Sequence, residues 1–481
     1  MLHIKNRNSS KMIPSLTVSQ AVLALALVLS STKPAAAQTV DEVFSFSSSH
    51  SSPTPGLVAL TQGKNGNLYG TTTGLGTTAY GTIFAATTLG KEASIYTFNG
   101  SDGMYPSAGV TLATNGGFYG TAGGGSFGYG VLFLINGAGQ YSVIHDFTGG
   151  LDGGNPIAPP VQAGDGDLYG TTSGTGAGSA GTVYKVTLSG AFSTIFTFSS
   201  DGSQGTQAEA PLLQAADGNL YGTANAGGIS NCGTIFAVSR GGTLVFDYSF
   251  SCRAGGWGPV GPVLQASDGN FYGTTELGGS GDGCDGEPCG TVFKLSSDGA
   301  VTILYNFLGG RGDGAQPGAG LIEGPDGNLY GATAAGGIYD DGTLYEITLS
   351  GVESVLYNFP SRIGEHPAAS LLQHTNGLLY GTTEAGGIYG DGALYSLDMG
   401  FQPCIAFVLS AGSVGRQAQI LGQNLTGATS VTFNGVPATS FSVKSDTYMT
   451  AIVPAGATTG PVVVTTPTGT LTSNVNFRIT Q

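Results

Sequence analysis

The residues able to do chemistry are few: five histidines, five cysteines and 30 acids spread through 481 residues. No G-x-S-x-G, H-E-x-x-H or P-loop pattern joins them. His145 stands where related segments carry Phe or Tyr, so it reads as a strand residue. His374 lies beside a short turn, and His50 and His366 fall in long, variable segments. Paired carboxylates for glycoside chemistry need only converge in space, so a lyase or hydrolase stays open as the alternative to a binding protein. Asp340, Asp341 and Asp391 lack the dense D-x-D-x-D spacing of a calcium loop, and neither a metal nor a cofactor is assigned. Arg311-Gly312-Asp313 spells a cell-adhesion triplet, which reads as coincidence in a chain this rich in Gly and Asp.

Binding is better supplied. The single tryptophan, Trp257, and the tyrosines Tyr80, Tyr129, Tyr339 and Tyr389 all fall in glycine-rich loops. Aromatics there can stack on sugar rings or anchor a protein partner; the blander reading, that they close loops over a core, is the more economical one. Cys232 and Cys252 flank the Gly241-Gly242 turn symmetrically, so strands paired about it bring them opposite one another and a disulfide is expected. Cys284 and Cys289, in GCDGEPCG, would close a second, tiny loop. Free or metal-bound thiols are the alternative for both pairs. Cys404 is left over.

What positions these groups is a repeat. GNLYGTT at residues 66–72 returns as GGFYGTA, GDLYGTT, GNLYGTA, GNFYGTT, GNLYGAT and GLLYGTT. Its tyrosines, Tyr69, Tyr119, Tyr169, Tyr221, Tyr272, Tyr330 and Tyr380, are spaced by 50, 50, 52, 51, 58 and 50 residues. Such a period marks a propeller or a solenoid. One unit, PLLQAADGNLYGTANAGGISNCGTIFAVSRGGTLVFDYSF, holds four apolar runs separated by Asp-Gly, glycine-rich and Gly-Gly turns. That is the pattern of four antiparallel strands. The expected fold is therefore all-β, a seven-bladed β-propeller. The seventh unit lacks its fourth strand, and VFSF at 43–46 supplies an N-terminal one to close the ring. The Tyr-Gly pair reads as scaffold, with Gly admitting a neighbouring backbone.

Strand parity then puts the short turns (DGN, GGT, LSG) on one face and the long, variable loops on the other. The variable rim, which carries the five aromatics, is the expected ligand face.

The pattern DGNLYGTT…GG…GTIF…YNF resembles the GloVer tandem-repeat family of bacterial surface and secreted proteins, of the choice-of-anchor type, over roughly residues 40–398. The resemblance implies an extracellular setting and carries over no catalytic residue. After Met399-Gly400 the repeat stops. Residues 402–481, with LGQNLTGATSVTFNG, TAIVPAG and GPVVVTTPTGT, resemble an IPT/TIG domain, which implies an immunoglobulin-like β-sandwich used as a spacer or adhesion module.

Residues 1–37 read as a signal peptide: Lys5, Arg7 and Lys11, then AVLALALVL, then Ala35-Ala36-Ala37 before Gln38. The propeller is expected over 38–399. Residues 1–37 hold four of the 15 bases and none of the 30 acids, so cleavage moves the formal net charge from −15 to −19. Such acidity repels phosphate backbones and anionic lipid, arguing against nucleic-acid and membrane partners. The expectation is a secreted or cell-surface, non-enzymatic binding protein for an extracellular glycan or protein.

Overall fold

A computed structural model describes residues 38–480, apart from 48–58, 75–79, 175–179 and the single positions 254, 282, 285 and 368. The expected signal peptide and His50 lie outside the described residues. Residues 38–481 form one compact unit, and no α-helix occurs among the described residues. No helix among them is long and apolar enough to cross a membrane.

Up to Asp398 the chain builds four-stranded antiparallel sheets in sequence order, seven among the described residues, numbered here sheet 1 to sheet 7. Sheet 4 is representative: Leu213–Gln214, Leu220–Ala224, Thr234–Val238 and Leu244–Ser249. In sheet 7 the outer strand is Thr39–Ser45, which pairs antiparallel with Ala393–Asp398, Thr39 opposite Asp398 and Ser45 opposite Ala393. The missing fourth strand of the last unit is thus supplied from residues 39–45. The four strands expected per unit are present, the first of them only two residues long in every sheet. The first strands of sheets 1, 2 and 7 line one cavity of about 310 Å³ together with Ala406, Phe407 and Leu421 of the C-terminal stretch.

Each letter of the repeated signature has a separate mechanical cause. The tyrosine hydroxyl bonds the Asn or Asp four residues earlier in all seven units, at 2.6–3.1 Å. The same Asx accepts the backbone N–H two residues on, as Asp268 does from Asn270 at 3.0 Å, which shapes the turn. The glycine makes room for a ring rather than for the backbone the sequence suggested. An added Cβ at Gly70, Gly120, Gly170, Gly222, Gly273, Gly331 or Gly381 would meet the aromatic opposite it on the third strand at 2.3–2.7 Å. The first threonine reaches the next connection: Thr71 donates to Ala108 O, Thr121 to Ala158 O, Thr223 to Gly261 O and Thr274 to Ala319 O.

Two relationships pass from sheet to sheet around the whole set. The phenylalanine ending each fourth strand packs on the third-strand aromatic of the next sheet, with ring centroids 4.9–5.5 Å apart. The pairs run Phe98–Phe133, Phe147–Tyr184, Phe198–Phe236, Phe250–Phe293, Phe307–Tyr345, Phe359–Tyr395 and finally Phe46–Phe84. Each such pair contributes about 0.5–1.5 kcal/mol beyond burial. The second relationship is polar. A Gln or Glu on the first strand accepts a backbone N–H from the preceding sheet at 2.8–3.1 Å: Gln162 from Thr114, Gln214 from Gly164, Gln265 from Ala216, Glu323 from Ser267 and Gln62 from Thr375. Two stations are broken. Leu112 stands where sheet 2 would carry the acceptor, and Pro325 offers no N–H to Gln373, whose Nε2 is buried without a partner.

From Ala406 the chain forms two further four-stranded sheets around a core that includes Ile405, Ile420, Val431, Phe433, Met449 and Phe477. Nothing covalent holds this module, so apolar packing must. It sits on the short-turn side of sheets 7, 1, 2 and 4. Gln423 Nε2 donates to Thr375 Oγ1 at 3.0 Å, Thr447 Oγ1 to Lys64 O at 2.8 Å and Gln419 Nε2 to Thr114 O at 2.7 Å. Arg478 donates to Ala215 O and to Gln214 Oε1, and Lys64 Nζ lies 4.7 Å from the Tyr448 ring centre. These contacts fall on or beside the stations of the glutamine series.

Candidate functional site

With the short turns partly covered, the long second-to-third loops and the sheet-to-sheet connections make up the other face. The five aromatics singled out in the sequence all lie there, on five different sheets. Tyr80 and Tyr129 stand just before third strands. Tyr80 contacts the Tyr105 ring at 6.3 Å, and the Tyr129 ring lies over Gly149, 2.8 Å from where a Cβ would be. Both act as loop closures. Trp257 is pinned by reciprocal backbone bonds with Leu277 at 2.8 and 2.9 Å and leaves 47% of its surface exposed. Tyr339 and Tyr389, at loop tips, are 56% and 57% exposed.

The cysteines support two of these loops. Cys232 is bonded to Cys252 and Cys284 to Cys289, with Cα separations of 5.2 and 5.4 Å. Cys404 is free and buried at the start of the C-terminal module, where burial pushes its thiol up to about 11.

Three sequence candidates turn out to be structural. Asp313 of the Arg-Gly-Asp triplet is only 7% exposed, and its carboxylate accepts from Tyr305 Oη, Leu308 N and Gly314 N at 3.0, 2.7 and 2.7 Å. It is not available to a receptor. His145 lies in the outer strand of sheet 2, stacked on Phe192 at 3.7 Å with Nε2 3.1 Å from Asp152. Asp152 plays there the part that Asp102 plays for Tyr96 and Asp313 for Tyr305. His374 is buried on the short-turn side, accepting Asn376 N–H at Nδ1 and donating from Nε2 to Gly66 O at 3.0 Å.

The sequence reading passed over a set of residues at one recurrent position. In the connections entering sheets 2 to 7, one residue holds a left-handed backbone: Tyr105 (φ 51°), Asn155 (54°), Gln207 (61°), Gly258 (69°), Gln316 (57°) and His366 (56°). Asn155, Gly258, Gln316 and His366 are each fixed from both sides. Gln207 O accepts Asn225 N–H and His366 O accepts Glu384 N–H, at 3.0 and 3.3 Å, while His366 N–H donates to Asp341 O at 3.0 Å. Glycine takes this conformation without strain, as Gly258 does. The other five cost about 1–3 kcal/mol each. Four of them also precede a proline, which restricts the backbone further. Strain retained at one recurrent position, with Asn155, Gln207 and His366 exposed, marks this ring as a functional candidate.

Between sheets 3 and 4 the same face holds a cavity of about 670 Å³, lined by Asn155, Ser173, Ser200, Asp201, Gln207 and Glu209 among others. No aromatic, Lys, Arg or His contributes to its lining among the described residues. Burial raises the Glu209 carboxyl, partly offset by the Asn225 amide and reinforced by the charge of Glu276. Burial also raises Glu276 and, against the opposing charge of His366, Glu384. No group of three or more metal-ligating side chains occurs among the described residues.

Among solved structures the chain is similar to virginiamycin B lyase from Staphylococcus aureus, with 13% identity and a TM-score of 0.52, over 75% of this chain and 99% of that one. A fungal alcohol oxidase of the AA5 family aligns at 13% identity and TM-score 0.47, over 92% and 99%. A gluconolactonase from Xanthomonas campestris aligns at 10% and 0.41, over 76% and 90%. At these identities the likeness concerns the fold alone, which is all-β and propeller-like. No curated protein matches the chain. The model of the Gloeobacter/Verrucomicrobia repeat matches residues 121–309 and again 282–435, together more than half of the sequence. The chain therefore belongs to the Gloeobacter/Verrucomicrobia repeat family.

Proposed function

We propose that this is a secreted, non-enzymatic binding protein of the bacterial cell surface or matrix. In this reading the seven sheets are blades of a closed propeller, and the C-terminal module is an immunoglobulin-like IPT/TIG sandwich. An extracellular glycan or protein meets the variable rim. The observation that carries the reading is the division of the two faces. The short-turn side is occupied by the C-terminal module, while the long loops, the exposed Trp257, Tyr339 and Tyr389, and the strained connection residues share the opposite side. Variable loops on a rigid frame are where such folds bind.

A second reading, a carbohydrate lyase or hydrolase at the mouth of the channel, draws support from Glu209, Glu276 and Glu384. Their raised carboxyls are the kind that serve as general acids. One experiment separates the two: the purified mature chain is applied to a polysaccharide array while the same glycans are assayed for cleavage. Binding without cleavage, weakened in Trp257→Ala, supports the binding protein. Turnover, abolished in Glu276→Gln or Glu384→Gln, supports the enzyme, and neither binding nor turnover removes the enzyme and the glycan ligand and leaves a protein partner for the rim.

A further inference from the structure

The rim cavity between sheets 3 and 4 has a lining that narrows its ligand. Asn155 and Asn231 are each half committed: Asn155 Nδ2 donates to Gly174 O at 2.8 Å, and Asn231 Oδ1 accepts Gly227 N–H at 3.1 Å. That leaves the Asn155 carbonyl oxygen and the Asn231 amide N–H₂ as an acceptor and a donor for a guest. Gln207, Ser200 and Thr206 add amide and hydroxyl groups, and Asp201 and Glu209 add carboxyl acceptors. With no cation among the described lining residues and two acids present, phosphate, sulfate and uronate are repelled. Without an aromatic platform an apolar guest gains little. The volume, about 670 Å³, falls within the ~300–1,000 Å³ span of small-molecule sites.

The backbone adds an independent indication. Asn155, Gln207 and Asn231 are all left-handed, at 54°, 61° and 56°, although glycine would serve each site without strain. At Gln207 the side chain is exposed, so the fold does not need it for packing, whereas the Asn155 amide also holds the Gly174 carbonyl. Something other than packing accounts for an amide at Gln207.

We propose that this cavity is a subsite for an uncharged saccharide, gripped by alternating amide and carboxyl groups with Asn155 and Gln207 as its principal contacts. The proposal rests on the rim-binding reading above and gives it an address away from Trp257.

The test is calorimetric titration of the mature chain with glucose, galactose, N-acetylglucosamine, cellobiose and, as an anionic control, glucuronate. Wild type, Asn155→Gly, Gln207→Gly and Trp257→Ala are compared, with thermal melts of each. The expected result is binding of at least one neutral sugar, no binding of glucuronate, and at least a tenfold loss of affinity in both glycine variants. The melting temperature of Gln207→Gly should stay unchanged or rise, because glycine relieves the left-handed strain, whereas in Asn155→Gly that relief is offset by loss of the bond to Gly174 O. Preference for glucuronate, or neutral-sugar affinity unaltered in both variants, overturns the proposal. So does loss of binding in Gln207→Gly accompanied by a falling melting temperature, which would make that amide structural. Sugar binding lost only in Trp257→Ala would overturn the subsite yet leave the rim reading standing, whereas absence of sugar binding in the wild type, with a protein partner captured at the rim, would do the same.

Discussion

Gln62, in the first sheet, accepts a hydrogen bond from the backbone N–H of Thr375, in the seventh, at 3.1 Å, and returns one from Nε2 to Thr375 Oγ1 at 2.8 Å. These residues are 313 apart in sequence, and the pair repeats between the ends of the series what Gln162, Gln214, Gln265 and Glu323 do between neighbours. Phe46 against Phe84 adds an apolar link between the same two sheets.

Breaking this contact should be costly, because Thr375 is fully buried and its N–H has no water to turn to. Gln62→Leu should destabilise the protein by about 1–3 kcal/mol. The converse substitution, Leu112→Gln, offers the missing acceptor to Lys64 N–H but removes an apolar side chain from a core cluster, so a gain of about 0.5–1.5 kcal/mol should be outweighed by a loss of about 1.5–3 kcal/mol. Urea unfolding midpoints measure both.

The Tyr-Gly signature makes a steric prediction. At Gly273 a methyl group would stand 2.5 Å from the Phe293 ring, so Gly273→Ala should cost about 1–3 kcal/mol. Trimming the ring should return part of that loss. In a double-mutant cycle Gly273→Ala and Phe293→Leu should therefore couple favourably, with the double variant more stable than the sum of the single changes implies.

How much of this was legible in the sequence depended on whether a residue acts alone or through a partner. The fifty-residue period, an N-terminal strand for the last sheet and the Cys232–Cys252 hairpin all follow from local pattern, and the structure holds each of them, the strand at 39–45 rather than 43–46. The glutamines at 62, 162, 214 and 265 were visible too, yet a lone polar residue in an apolar run gives no sign that it reaches a different sheet. The left-handed residues were harder still. Tyr105-Pro106, Asn155-Pro156 and His366-Pro367 run against both local rules, and only bonds to distant carbonyls and amides hold them there. The rim aromatics lie on the long-loop face that strand parity gave, but the cavity between sheets 3 and 4 uses none of them.

Two buried groups give opposite pH dependences. Burial, and then the charge of Asp313, push the Glu353 carboxyl up to about 7 from an ordinary 4.5. The folded state thus keeps this proton longer than the unfolded chain. The stability it contributes is full below about 4.5 and is lost as pH rises through about 7. Relative to Glu353→Gln, the wild type should lose urea resistance between pH 5 and pH 8.

His374 should do the reverse. Burial holds its imidazole below the ordinary 6.5, and in the neutral form it bridges Gly66 O and Asn376 N–H. As pH falls below 6.5 the unfolded chain takes up the proton first, so stability present above that value is lost below it. His374→Gln should remove this acid-side decline, seen by comparing melting temperatures at pH 7.5 and 5.5.

The strand order is tested most directly by hydrogen exchange resolved to short peptides. If residues 39–45 complete the seventh sheet, their amides should exchange as slowly as those of 393–398, and both should accelerate together in Gln62→Leu. Rapid exchange at 39–45 beside a protected 393–398 would contradict the closed ring and, with it, the assignment of the variable rim as the open face.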